Sequence, residues 1–298
     1  MDASKNRALA GIGLAVLAVA GFAGLDTTTK WLSISVPLMM AMFFRYLFQA
    51  VATTVAVFPS RGKRLLHTHH LGLHVLRGLL LLASSLFAFL SLKLMPVGEF
   101  TAIVMITPLV VTLLAARMLH EHVSGRRLLL VAGGFLGTLV IIRPGGQSFT
   151  WALLFPVGVV LSNTAFQLLT SRMARTEDSM TLQFYTGWVG TAVAALTLPW
   201  VWMDLPDTTL WLGLFFAGLM ATLGHFFLIL SYKRAPAAVL MPYMYVQIGF
   251  AMLGGWLLFA HVPDHWSLMG MALVAVCGAA GAWLTAHESR AAAEPPEH

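Results

Sequence analysis

Long apolar runs separated by short polar or basic punctuation are the feature that most limits what this chain can fold into. A helix crossing the hydrocarbon of a bilayer needs roughly 20 apolar residues. The runs reach that length near 8–28, 35–58, 71–95, 99–120, 126–143, 150–174, 179–202, 208–233, 237–260 and 266–286. Backbone polar groups in hydrocarbon must be paired within the segment, and these runs are far past strand length, so they read as helices. The pattern predicts an all-α polytopic membrane protein with ten transmembrane helices. Composition agrees, with 10% charged residues and a mean hydropathy of +0.81, against roughly 25% charged in a soluble domain.

At roughly 20 residues per span, ten helices use about 200 of the 298 residues and leave roughly a third for connections and tails, too little for a soluble catalytic domain. No GxxxxGK[ST] phosphate loop occurs, which argues against a nucleotide-driven pump. A lone cysteine, Cys277, excludes an intrachain disulfide and a thiolate metal cluster. The expectation is a protein that is not an enzyme, with no cofactor, no metal site and no nucleic-acid partner. The first run has the basic start of a secretory signal (Lys5, Arg7) but lacks a small-residue cleavage site, and reads as an uncleaved helix.

Lys and Arg are retained on the cytoplasmic side of membranes. With the N-terminus inside, that side collects Lys5, Arg7, Arg61, Lys63, Arg64, Arg77, Arg117, Arg126, Arg127, Arg172, Arg175, Lys233, Arg234 and Arg290. The other face has Lys30, Lys93 and Arg143, and Arg45 lies within a span. Both termini are therefore expected in the cytoplasm. A basic rim facing anionic lipid headgroups accounts for the net charge of +6.

Sliding the chain by 140 residues keeps the apolar runs in register without a gap. Identities at this offset include Phe44 with Phe184, Pro59 with Pro199, Gly78 with Gly218, Phe87 with Phe227, Ser91 with Ser231 and Pro96 with Pro236. The repeat divides the chain into 1–145 and 146–290, with 291–298 as a cytoplasmic tail. Each copy holds five spans, and an odd count sends the second copy into the membrane from the opposite side. Two inverted halves around a central cavity are the architecture of alternating access, with substrate near the midplane.

The stretch SLKLMPVGEFTAIVMITPLVVTLLAARMLHEHVSGRRLLLVAGGFLGTLVIIRPGG at 91–146 resembles the first-half signature of the EamA-type drug/metabolite transporter superfamily. The matching residues are Pro108 in the fourth span, Glu121 closing it, Arg126 and Arg127 opening the fifth, and Arg143, Pro144 and Gly145 ending it. In the second copy His261 stands at the position of Glu121 and Ile248 at that of Pro108, so the pattern is degraded there. Within the superfamily the chain is similar to YddG-type exporters of aromatic and other neutral amino acids. The resemblance implies two inverted five-helix repeats and efflux across the bacterial inner membrane.

Polar groups in a membrane interior are costly and face a cavity or one another. Arg45, about ten residues into the second span with Gln49 one turn on, is a candidate for a substrate carboxylate or for a fixed partner at helix ends. Asn163, Gln167 and Thr170 make a polar stripe on the sixth span, readable as cavity lining or as interhelical glue. Tyr243 and Gln247 share a face of the ninth span, whose start Pro242 loosens. His225 lies deep in the eighth span, with Ser85, beside Ser84, as its repeat mate, and it is the first candidate if protons are coupled. Thr101, Met105, Pro108 and Thr112 align on the fourth span, where Pro108 is a candidate hinge. The run from Asp26 to Lys30 is a candidate outer gate or an ordinary interfacial helix end. Asp26 and Glu99 both read as near the outer ends, leaving no midplane carboxylate, so facilitated or weakly coupled export is expected.

A membrane enzyme is one rival, because THTHHLGLH at 67–74 and HEH at 120–122 gather His on the cytoplasmic face; HExxH and GxSxG are absent. A channel is another, against which the repeat and kinked helices argue. Among carriers, an exporter of lipophilic cations, drugs or other metabolites is the alternative, disfavoured by the scarcity of deep carboxylates. The reading reached is an exporter, possible as a monomer, of amino acids with large apolar side chains. Arg45, Gln167, Tyr243 and Gln247 would hold their polar end, in a cavity also lined by Ser85, Met105, Asn163 and His225.

Overall fold

The computed structural model describes residues 2–68, 70–95, 97–118, 124–142 and 151–260, with further positions between 265 and 284. Glu121, Arg143, Pro144, Gly145, His120, His122 and His261, all used in the sequence reading, lie outside the described residues, as does much of the tenth run.

Every regular element among the described residues is helical. The first three are α1 (Asp2–Leu32), α2 (Leu38–Arg61) and α3 (Leu71–Leu94). The fourth run is broken into α4 (Val97–Val104) and α5 (Thr107–Met118), and α6 (Gly125–Ile142) follows. Then come α7 (Leu154–Met173), α8 (Ser179–Val201), α9 (Thr208–Tyr232) and a second broken run, α10 (Ala237–Met244) with α11 (Gln247–Phe259). Asn6–Leu32, Leu38–Ser60, Leu71–Leu94, Leu154–Met173 and Thr208–Tyr232 are long and apolar enough to cross a membrane. Leu17, Val55, Leu129, Leu196 and Leu212 are exposed on the outside of the bundle, as a lipid-facing surface requires.

Both single-helix expectations, 99–120 and 237–260, are corrected by these breaks. Pro108 offers no N–H, and its ring excludes the carbonyl of the residue four before it, which is Val104, the last residue of α4. The chain tightens instead, with Ile106 N–H bonding Ile103 O at 3.1 Å. In the second break Val246 N–H bonds Tyr243 O at 3.2 Å and Ile248 N–H bonds Tyr245 O at 3.0 Å. No proline follows this second break; Pro242 lies inside α10, before it. The helix ends nonetheless repeat at the sequence offset of 140: α10 begins and ends 140 residues after α4, α11 begins 140 after α5, and α8 ends 140 after α2.

Helices of the first half pack on helices of the second: α1 on α9, α2 on α8, α3 on α7, and the broken runs on each other. The α2–α8 seam is close because of glycine. A Cβ on Gly187 would lie 2.7 Å from the backbone nitrogen of Ala50, and one on Gly190 would enter the ring of Tyr46. The first helix is longer than the 8–28 read from hydropathy and runs through Asp26 and Lys30. Lys30 does not stand at an open mouth: its ammonium donates to Leu92 O (2.7 Å) and Met95 O (3.2 Å), at the C-terminal end of α3. Those carbonyls lack intrahelical partners and carry the negative end of the helix dipole, so a cation suits them.

Candidate functional site

A cavity of about 100 Å³ lies among α1, α2, α3, α4, α5, α7, α9, α10 and α11. Of the residues singled out from sequence, Asp26, Arg45, Ser85, Met105, Pro108, Asn163, Gln167, His225 and Gln247 line it. Tyr243, Pro242 and Lys30 do not. Tyr243 and Gln247 sit on opposite sides of the second break, so the shared helical face assumed for them does not exist.

Arg45 is the centre of the polar wall. Its Nη1 donates to Ser85 Oγ at 2.6 Å and its Nη2 lies 3.3 Å from His225 Nε2. Ser85 spends its one hydroxyl hydrogen on Leu81 O (2.7 Å), so its oxygen accepts from both Arg45 and Tyr46 Oη (2.8 Å). A guanidinium has no lone pair to offer, so His225 Nε2 must be the acceptor and carry no proton. The His225 ring is held between Phe22 (centroids 4.8 Å apart) and Phe166 (5.5 Å), and its Nδ1 has no hydrogen-bond partner. Ser85 and His225, which stand 140 residues apart in the sequence, thus grip one arginine.

Gln167 accepts from Tyr232 Oη at 2.9 Å through its carbonyl oxygen, which leaves its amide N–H groups for the cavity. Thr170, predicted to continue this stripe, faces elsewhere. Gln49 likewise leaves the cavity to Arg45 and donates to Gln183 O at 3.2 Å, across the α2–α8 seam. Thr112 is buried and returns its hydroxyl to Pro108 O, while Thr101 and Met105 line the cavity. Phe22, Phe100, Leu228 and Met244 add apolar surface that no pattern had flagged.

Two charged residues require correction. Asp26, read as near the outer end, lines the cavity, and its Oδ2 accepts from Gln247 Nε2 at 3.0 Å. Its depth follows from the length of α1, which continues past Asp26 to Leu32. Arg77, counted in the cytoplasmic rim, is 1% exposed. It donates from Nε to Thr170 Oγ1 (2.7 Å) and from Nη1 to Leu182 O (2.9 Å) and Thr186 Oγ1, with its Cζ 4.7 Å over the Phe166 ring. Six residues past the start of α3 is already more than one and a half turns in, and hydroxyls on the facing helices are the available clue.

Of the histidines expected on the cytoplasmic face, His74 is fully buried, 3.6 Å from Glu177 and tilted against the ring of Tyr185. Glu177 also accepts from Thr68 Oγ1 at 3.0 Å. No group of three or more metal-ligating side chains occurs among the described residues.

A model of the EamA-like transporter family matches residues 9–143. A riboflavin transporter of Rhizobium johnstonii is 30% identical over 273 residues, covering 90% of this chain and 89% of that protein. An S-adenosylmethionine uptake transporter of Rickettsia felis is 26% identical, covering 92% of each. A solved crystal structure superposes with a TM-score of 0.76 over 95% of this chain and 98% of its own, at 21% identity, a likeness of fold alone.

Proposed function

The chain belongs to the EamA-like transporter family, and from that premise we propose that it carries an amphiphilic metabolite that joins a planar ring system to polar or charged groups, the class that includes riboflavin and S-adenosylmethionine. One observation carries the reading. A guanidinium, a carboxylate, the amides of Asn163, Gln167 and Gln247 and two serine hydroxyls share one cavity with Phe22, Phe100, Met105 and Met244. Arg45 would hold an anionic or carbonyl group of the cargo, the amides would take the edges of a ring, and the aromatic and thioether side chains would take its faces. This reading takes the place of the narrower expectation of aromatic amino acid export. Relatives named for riboflavin and S-adenosylmethionine favour the larger cargo.

The transport cycle follows from size. Ligand pockets commonly run to roughly 300–1,000 Å³, so a cavity of about 100 Å³ must widen to admit a flavin or adenosyl group. The broken runs α4–α5 and α10–α11 border the cavity on two sides and supply the parts that would move. We place the protein in the inner membrane with its termini in the cytoplasm and its halves inverted, on the charge asymmetry and the offset of 140.

The test is saturable uptake into liposomes holding the purified protein, with riboflavin, S-adenosylmethionine and tryptophan as competing cargoes. Transport of the first or second, weakly inhibited by tryptophan, is expected. Transport of tryptophan alone would return the assignment to amino acids.

A further inference from the structure

Asp26 is the cavity's one carboxylate among the described residues, and it makes no contact ion pair with any of them. No Lys, Arg or His nitrogen among the described residues lies within 4 Å of it; its hydrogen-bond donor is the neutral amide of Gln247. The charged and titratable groups around it are few. Arg45 on α2 lines the same cavity and its charge acts on Asp26 from beyond ion-pair distance, while its hydrogen bonds go to Ser85 and His225. His225 on α9 is the acceptor for Arg45 and therefore neutral at Nε2. Tyr243 on α10 does not line the cavity, Lys30 on α1 itself is bonded to the end of α3, and the side chain of Glu99 on α4 lies outside the described residues. An ionised carboxylate with one neutral donor depends on water in the cavity for the rest of its solvation.

A cargo that fills the cavity displaces that water. Two outcomes keep the carboxylate solvated or uncharged: the cargo brings a cationic group to it, or a proton does. Resting on the function proposed above, we propose that Asp26 is a proton site that takes up a proton when a cargo without a cationic group occupies the cavity, so that this carrier moves neutral or anionic cargo together with a proton. The proton adds to a carboxylate oxygen from water on the side to which the cavity is open; no other bond is made or broken. Gln247 is the first residue of α11, immediately past the second break, so the charge on Asp26 acts on the bond that ties α1 to a separately movable half-helix.

Riboflavin, which has no cationic group, and S-adenosylmethionine, which has two, are the probes. Added to purified protein in weak buffer, riboflavin should withdraw protons from solution and S-adenosylmethionine should not. Riboflavin affinity should rise by up to about tenfold for each unit fall in pH over the range in which Asp26 is ionised in the empty protein. D26N should lose both the proton uptake and the pH dependence, and should bind S-adenosylmethionine less tightly. Riboflavin binding without proton uptake, or uptake undiminished in D26N, overturns the inference and leaves the carrier function standing. If neither probe binds, the function falls, and infrared difference spectra of wild type against D26N still decide: a carboxyl C=O band that grows on acidification supports the proton site, and its absence at every pH where the protein stays folded overturns it.

Discussion

Arg45 and Arg77 are both buried arginines without a carboxylate within ion-pair distance among the described residues, yet one lines the central cavity and the other does not. Arg77 is caged by two hydroxyls, a carbonyl and an aromatic face from α7 and α8, and it does not line the central cavity. Arg45 has a hydroxyl and an imidazole on one side and the cavity on the other. Burial of a charge is thus no mark of function by itself; what separates the two is whether the remaining valence points at protein or at a space a ligand can enter.

If that distinction holds, removing Arg77 should do the greater damage to the fold. Hydrogen bonds to a charged group are worth about 1.5–3 kcal/mol each, so Arg77→Ala should destabilise by about 3 kcal/mol or more, read as a lowered melting temperature in detergent. A variant that melts like wild type but has lost transport would put Arg77 on the cargo's path. Gly187→Val should cost about 1–3 kcal/mol through overpacking of the α2–α8 seam, visible in the same melting assay and not in the substrate preference of surviving protein. Arg45→Gln should leave stability within about 1 kcal/mol while transport drops at least tenfold; a loss of fold without a specific loss of transport would erase the contrast. His225→Gln keeps an acceptor for Arg45 and should transport better than His225→Leu, by about fivefold for one hydrogen bond of about 1 kcal/mol.

The smallest effect is expected at Pro108. The second break forms at the matching position with Ile248 where the first has Pro108. Packing around it supplies a reason. Gly134 lets the ring of Tyr245 approach to 2.7 Å of where a Cβ would sit, and Tyr245 is 1% exposed. A break that forms without a proline in one half does not depend on the proline in the other, so Pro108→Ala should keep near-normal transport and alter stability by less than about 1 kcal/mol. Abolished transport would make Pro108 a hinge in its own right.

Hydropathy revealed the helices because each span's composition is set by the solvent around it. The breaks at 105–106 and 245–246 were hidden because hydropathy does not change across them. Arg45, His225, Ser85 and Gln167 were legible as polar residues too deep to reach water. Asp26 was not, since its depth depends on how far α1 extends past its neighbours, and Tyr243 does not line the cavity because the ninth run is broken between it and Gln247.

The broken runs have a mechanical meaning. In an unbroken helix a tilt at one end is a tilt at the other, so widening one mouth of a bundle narrows the opposite one by leverage through a rigid rod. Where the rod is severed near its middle, with a few three-residue turns for a joint, each half answers to its own neighbours. In the transport cycle proposed above, α4 would lean while α5 keeps its seat, and α10 while α11 keeps its own, so that a passage is parted on one face of the bilayer with the other still shut.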